Sequence, residues 1–266
     1  GGLNRRGVRL TGGARLRVRD GTSDFAPLLR LDADRSWMGL AASAERRFAG
    51  ATTWDVRARA EPFSWLRLSA SVGAGASSAS TAAHPGSTAD IAAGFRGRWI
   101  GVGVIRAAEA TVLAPIALDS SQRAAVLPAA TGITFTVGGP LVRGWNVRTD
   151  VVNWGSATAF RPQTEAHTRV WFESNFLGFA PRGNFHVLAA LTHEYRTTLY
   201  APSADGPIGQ STPGYSALGT VLQVRISTAT VYWDFRNMTG HNYETFPGYL
   251  MPRNLSVYGI RWEFWN

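Results

Sequence analysis

The chain has 266 residues and a mass of 28.7 kDa, room for one large domain or two small ones. Only 17% of residues are charged and 11% are aromatic, with 10 Trp, 29 Gly and no Cys. That composition excludes a disordered chain, a disulfide scaffold, a zinc ribbon and a Cys nucleophile. All 27 basic residues are Arg and the formal charge is +9, which admits anionic lipid, nucleic acid or an acidic substrate as partner.

No apolar run reaches the roughly 18 residues of a membrane-spanning helix. The first residues, Gly1-Gly2-Leu3-Asn4-Arg5-Arg6, are basic but lead into no apolar segment, so no signal peptide is expected there. From that point alternation at period two takes over. Val8, Leu10, Ala14, Leu16 and Val18 alternate with Arg9, Thr11, Arg15, Arg17 and Arg19. Trp54, Val56, Ala58 and Ala60 alternate with Asp55, Arg57, Arg59 and Glu61, and Leu66, Leu68, Ala70 and Val72 with Arg67, Ser69 and Ser71. Later, Phe185, Val187, Ala189 and Leu191 oppose His186, Thr192, Glu194 and Arg196, and Val231, Trp233 and Phe235 oppose Tyr232, Asp234 and Arg236. Neighbouring side chains of a strand point to opposite faces, so each segment has one apolar and one polar wall. The fold class read from this is all-β.

Short breaks fall at Asp20-Gly21, Ala49-Gly50, Glu61-Pro62, Gly138-Gly139-Pro140 and Pro181-Arg182-Gly183, and longer polar stretches around Ser77–Thr88, Ser156–Thr164, Pro202–Gly214 and Thr239–Pro252. Short turns alternating with long loops are the habit of outer-membrane barrels. A soluble sandwich also alternates, with one face in a shared core. Long strands, Trp near segment ends (Trp37, Trp54, Trp99, Trp145, Trp233, Trp262) and an Arg-rich polar wall favour a transmembrane antiparallel β-barrel instead. An unpaired charge is costly in a dry core and cheap in a wet lumen. Even-stranded barrels are the rule, which sets the expected number at about 12–14 strands. No linker divides the chain, so residues 1–266 are expected to form a single outer-membrane barrel domain.

At the C-terminus Ser256, Tyr258, Ile260, Trp262 and Phe264 share one face, and Val257, Gly259, Arg261 and Glu263 the other. Tyr258, Gly259, Trp262 and Phe264 resemble the terminal signal read by the barrel assembly machinery, although Val257 replaces a polar residue and Trp265-Asn266 follow the Phe. Ahead of it, Asn237, Tyr243, Pro247-Gly248-Tyr249 and Pro252-Arg253 are similar to the last hairpin of TonB-dependent outer-membrane receptors. The resemblance implies an outer-membrane location, an extracellular loop there and a periplasmic C-terminus. Barrels of that family have 22 strands around a plug. This sequence is too short for that and already alternates at its start, so the expectation is either a small, plugless relative or a barrel whose plug lies upstream of residue 1.

The functional expectation follows from the polar wall. Arg15, Arg17, Arg19, Arg57, Arg59, Arg67, Arg148, Arg169, Arg196, Arg225, Arg236 and Arg261 fall on it and are the candidates for a solute path. Guanidinium rings select anions in pores. The competing reading is a ladder in which Asp55, Glu61, Asp150, Glu173, Glu194, Asp234 and Glu263 neutralise them.

No catalytic site is expected. His193-Glu194 lacks a second His at helical spacing, and Gly209-Gln210-Ser211-Thr212-Pro213 lacks the second Gly of a nucleophile elbow. Asp32-Ala33-Asp34, read as an outer loop, has too few carboxylates for a Ca²⁺ site. No metal or cofactor is expected. The partners expected are outer-membrane lipid and lipopolysaccharide, the assembly machinery, a small-molecule solute, and a second copy or surface assembly. Nucleic acid is not expected, because aromatics and Arg occupy opposite walls and leave no stacking face. The function expected is porin-like transport or binding of small, anionic solutes; the alternative is a non-transporting structural or adhesive barrel.

Overall fold

The computed structural model describes residues 2–5, 7–19, 22–46, 52–75, 84–112, 125–175, 185–201, 211–246 and 248–262. In chain order the strands begin with β1 (Gly2–Arg5), β2 (Val8–Arg19), β3 (Thr22–Arg35), β4 (Met38–Arg46), β5 (Thr52–Phe63), β6 (Leu66–Gly75), β7 (His84–Phe95) and β8 (Arg98–Ala107). A small ribbon, β9 (Ala110–Val112) with β10 (Ala125–Leu127), precedes β11 (Ala130–Val142), β12 (Trp145–Asn153), β13 (Thr164–Ser174) and β14 (Phe185–Arg196). A second ribbon, β15 (Leu199–Tyr200) with β16 (Ser211–Thr212), precedes β17 (Tyr215–Ile226) and β18 (Ala229–Arg236). A third, β19 (Glu244–Phe246) with β20 (Tyr249–Leu250), precedes β21 (Leu255–Trp262).

The strands outside these ribbons follow one another in chain order in a 15-stranded sheet. Apart from the four residues of β1 they run from 8 to 14 residues. Such lengths suit tilted spanning strands of about 9–11 residues. The fold is the expected all-β antiparallel one. Contacts cluster the chain into two compact units. One comprises Gly1–Phe95, Gly101–Thr134 and Pro202–Gly209; the other comprises Arg96–Ile100, Phe135–Ala201 and Gln210–Asn266.

Register in the first unit keeps the two walls separate across six strands. Arg15 pairs with Ala26, Leu28 with Glu45, Ser43 with Asp55, Arg57 with Ser71, and Ser69 with Asp90, all on one face. Leu10 pairs with Leu31, Leu40 with Ala58, Leu68 with Ile91 on the other. A slip of one residue would exchange the walls completely, which is why so regular an alternation specifies its register. Phe25, Leu29, Ile91 and Phe95 on the apolar wall are each about half exposed or more.

The second unit follows the same rule with more exceptions. Arg148 pairs with Arg169, His167 with Glu194, His186 with Arg225, and Thr230 with Arg261 on the polar face. Trp171, Leu188 and Val221 also fall on that face, by the register that places Trp171 opposite Ala190 and Leu188 opposite Gln223. The turn before β12 uses Gly144 at φ +79. A Cβ there would stand 2.8 Å from the Phe172 ring, so glycine answers both the left-handed backbone and the close approach.

The buried apolar residues among those described are Ala26, Ala74, Ala92, Ala159, Ala190, Leu199 and Ala217. A sandwich would bury Val, Ile, Phe and Trp between its sheets. Here those residues line an exposed wall instead. Trp37 lies in a turn, Trp145 opens β12 and Trp262 closes β21, as expected of interfacial aromatics. Trp233 departs from that expectation: it lies within β18, 6.2 Å between ring centroids from Tyr258.

Candidate functional site

The polar face of the first unit is built by alternation alone. Arg15 Nη1 lies 3.0 Å from Glu45, Arg57 Nε 2.9 Å from Asp55, Arg59 Nη2 3.1 Å from Asp34 and Arg67 Nε 2.9 Å from Glu61. Ser43 Oγ also donates to Asp55, and Ser69 Oγ donates to Asp90 over 2.5 Å. Each pair joins residues that strand spacing or register brings to one wall. Every partner keeps at least a quarter of its side chain in solvent, so each pair contributes only about 0–1 kcal/mol. Arg17 and Arg19 belong to β2 and share the parity of Arg15, but their side chains lie outside the described residues, as does Phe264 altogether.

Asp32 and Asp34 are not loop residues. Both sit on the polar face of β3, where Arg30 donates to Asp32 at 2.9 Å and Arg59 reaches Asp34. Arg30 was legible, since Leu29-Arg30-Leu31-Asp32 alternates, but it is absent from the expected set. Among the described residues no cluster of His, Asp and Glu has the makings of a metal site.

In the second unit the expected Arg residues divide. Arg148 lies 2.7 Å from Asp150 and Arg236 2.9 Å from Asp234. Arg148 and Arg169 are direct cross-strand neighbours, a repulsive arrangement. The two side chains turn apart, and Arg169 lies 5.5 Å from the Trp171 ring centroid. Arg225 and Arg261 flank Thr230 on the same face. Tyr258 and Trp262 project to the opposite, exposed face, while Gly259 lies opposite Tyr232; a Cβ there would stand 2.6 Å from the Tyr232 hydroxyl.

Arg196 is different in kind. It is only 8% exposed. One Nη2 donates to the backbone carbonyls of Glu244 at 2.6 Å and Thr245 at 3.2 Å, and the guanidinium lies 4.9 Å from the Tyr215 ring centroid. Tyr215 in turn stacks on Tyr243 with centroids 4.4 Å apart. Arg196 Nη1 and Thr212 Oγ1 are buried without a hydrogen-bond partner. Burial, and after it the nearby Glu194 carboxylate, raise the Tyr243 phenol above its ordinary range.

The segment that covers Arg196 is pinned by Asn237, at φ +53 and 3% exposed. Its Nδ2 donates to the carbonyls of His241 and Pro252, and its Oδ1 accepts from Thr239. A neighbouring loop adds a second buried guanidinium, Arg161, 4.8 Å from the Trp154 ring centroid; burial lowers its pKa. Neither Arg161 nor Trp154 sits on an alternating strand, so no periodic signal marked them.

No protein-family profile matches the chain, and no curated protein matches it. Solved structures do share its fold. The ferric enterobactin receptor of Pseudomonas aeruginosa superposes with a TM-score of 0.54 at 11% identity, covering 95% of this chain and 44% of that one. The ferric yersiniabactin uptake receptor of Yersinia pestis gives 0.50 at 10% identity, covering 95% and 46%. The chain thus spans under half the length of the receptors it resembles.

Proposed function

We propose that this chain is an outer-membrane β-barrel protein of the TonB-dependent-receptor type, with residues 1–266 in one barrel domain, that binds or passes small solutes along its Arg-bearing wall. The observation that supports this most directly is the exposed apolar wall. Leu16 is 67% and Ile260 66% exposed, and their cross-strand neighbours on that wall are Phe25 and Val231. Water does not tolerate so continuous a patch, whereas a bilayer is its natural solvent. The fold similarity to two siderophore receptors is consistent with this location.

The opposite wall supports the solute reading. It is wet and carries guanidinium groups whose planar forks suit carboxylate and phosphate. We therefore propose a modest preference for anionic solutes, without a catalytic step. The second reading, a structural barrel that transports nothing, draws on the ion pairs of Arg15, Arg57, Arg59, Arg67, Arg148 and Arg236. Pairing of that extent neutralises much of the wall.

Conductance of the purified, refolded chain in a planar bilayer under a salt gradient separates the two. Stable steps with anion preference, weakened in Arg15→Gln/Arg17→Gln/Arg19→Gln, are expected. A folded, inserted chain that gives no steps refutes passage and leaves the structural reading standing.

A further inference from the structure

The outward wall of the first unit is not uniform. Ala58, Ala70 and Ala89 are direct cross-strand neighbours on β5, β6 and β7, and they form the floor of an open trough of about 520 Å³. Its rim includes Val56, Val72 and Val104, and at one end it meets Ser87 and Arg106. Arg106 lies near the end of β8 away from the two-residue turn Arg96–Gly97. It has the parity of the exposed Val102 and Val104, whereas Gly101 and Gly103, of the other parity, are buried.

Arg106 is therefore a cation at the edge of the apolar wall, a parity it shares with Arg35, Arg46 and Arg98 at other strand ends. It forms no ion pair among the described residues, and no acidic side chain lines the trough. Elsewhere in the first unit the ion-paired Arg side chains lie on the polar face, next to carboxylates. The trough thus joins an apolar channel, shaped by alanines between valines, to one cation and the Ser87 hydroxyl, while the other two hydroxyls of its lining, Ser71 and Thr88, bond to each other. That is the pattern of an amphiphile: a long apolar body and a compact anionic head.

We propose that this trough seats one anionic lipid, an acyl chain lying over Ala58, Ala70 and Ala89 and a phosphate headgroup at Arg106 and Ser87. The inference rests on the outer-membrane reading, because only a chain whose wall meets a bilayer encounters such a lipid there. A long Arg side chain near a strand end extends naturally to the headgroup level. The hydroxyl of Ser87 adds a donor that a lone surface Arg lacks.

The test uses the full chain, refolded in zwitterionic detergent, and native mass spectrometry with phosphatidylglycerol and phosphatidylcholine of identical acyl chains at equal concentration. Phosphatidylglycerol should be retained about fivefold more, the effect of one basic side chain at an anionic surface. Arg106→Gln should remove the preference by deleting the charge, and Ala70→Leu should reduce retention of the lipid by filling the floor. Arg46→Gln, on the same wall at the end of β4 but outside the trough, should change neither.

Equal retention of the two lipids overturns the proposal, as does an Arg46→Gln effect as large as that of Arg106→Gln. Displacement of the bound lipid by millimolar inorganic phosphate also overturns it, since the acyl chain would then contribute nothing. Flotation of the chain with phosphatidylcholine vesicles separates the two levels of inference. A chain that floats without lipid preference refutes the seat alone, and one that never floats refutes the outer-membrane reading with it.

Discussion

The two units use the same alternating strands, and both pair arginines with carboxylates in solvent, but the second also buries Arg196. In the first, Arg15, Arg57 and Arg59 lie on open strand and meet carboxylates in solvent. In the second, Arg196 occupies an equivalent position by parity, at the end of β14, but is covered by a folded segment and meets carbonyls and an aromatic ring. The difference is one of dielectric rather than of charge. A pair in water can be broken at little cost, whereas a buried guanidinium and the carbonyls it serves depend on each other. The first unit therefore presents a charged surface, and the second adds a charged joint to one.

The largest expected effect lies at that joint. Arg196→Met keeps much of the volume but leaves the carbonyls of Glu244 and Thr245 without their donor. Orphaning two half-buried acceptors and losing the cation–aromatic contact should cost about 2–4 kcal/mol. The loss should be local: amide exchange and proteolysis within 239–252 accelerate, while the strands keep their protection. Arg196→Lys should not restore it, because an ammonium on a flexible stem does not reproduce the planar fork over Tyr215. Uniform loss of protection across β12 to β18 would show that Arg196 supports the strands rather than the segment.

Asn237 ranks next. It holds both ends of the same segment through His241, Pro252 and Thr239 while occupying a left-handed backbone conformation. Asn237→Ala should cost about 1–3 kcal/mol from the lost hydrogen bonds and the strained φ together. Asn237→Gly relieves the backbone and leaves the bonds missing. Thermal stability of the two variants therefore separates the contributions, and equal losses would mean that backbone strain is negligible.

How far the sequence could be read follows the same division. Alternation specified which wall Arg57, Arg148 and Arg261 occupy, because a period of two allows no intermediate answer. It also placed Gly259 opposite the face of Tyr258 and Trp262. What it could not convey was the fate of Arg196, since the carbonyls that capture it belong to residues 48 and 49 positions later. Asn237 and Tyr243 were visible as a family-like pattern, but pattern alone did not reveal that one clamps the segment and the other stacks beneath it. Asp32 and Asp34 misled for a simpler reason. Two carboxylates one residue apart suggest a loop when read as composition, and a strand once Leu29 and Leu31 are counted with them.

The smallest effect is the most discriminating for the first unit. Arg59 and Asp34 are joined across register-separated strands, with side chains 58% and 63% exposed. A double-mutant cycle with Arg59→Gln and Asp34→Asn should give a coupling of about 0.2–1 kcal/mol. It should fade as salt rises toward molar concentration, where the screening length falls to about 3 Å. A coupling that persists in high salt would mean that water is excluded from the face in the folded protein. The first unit would then resemble the second, and its arginines would be a sealed ladder rather than a surface open to solutes.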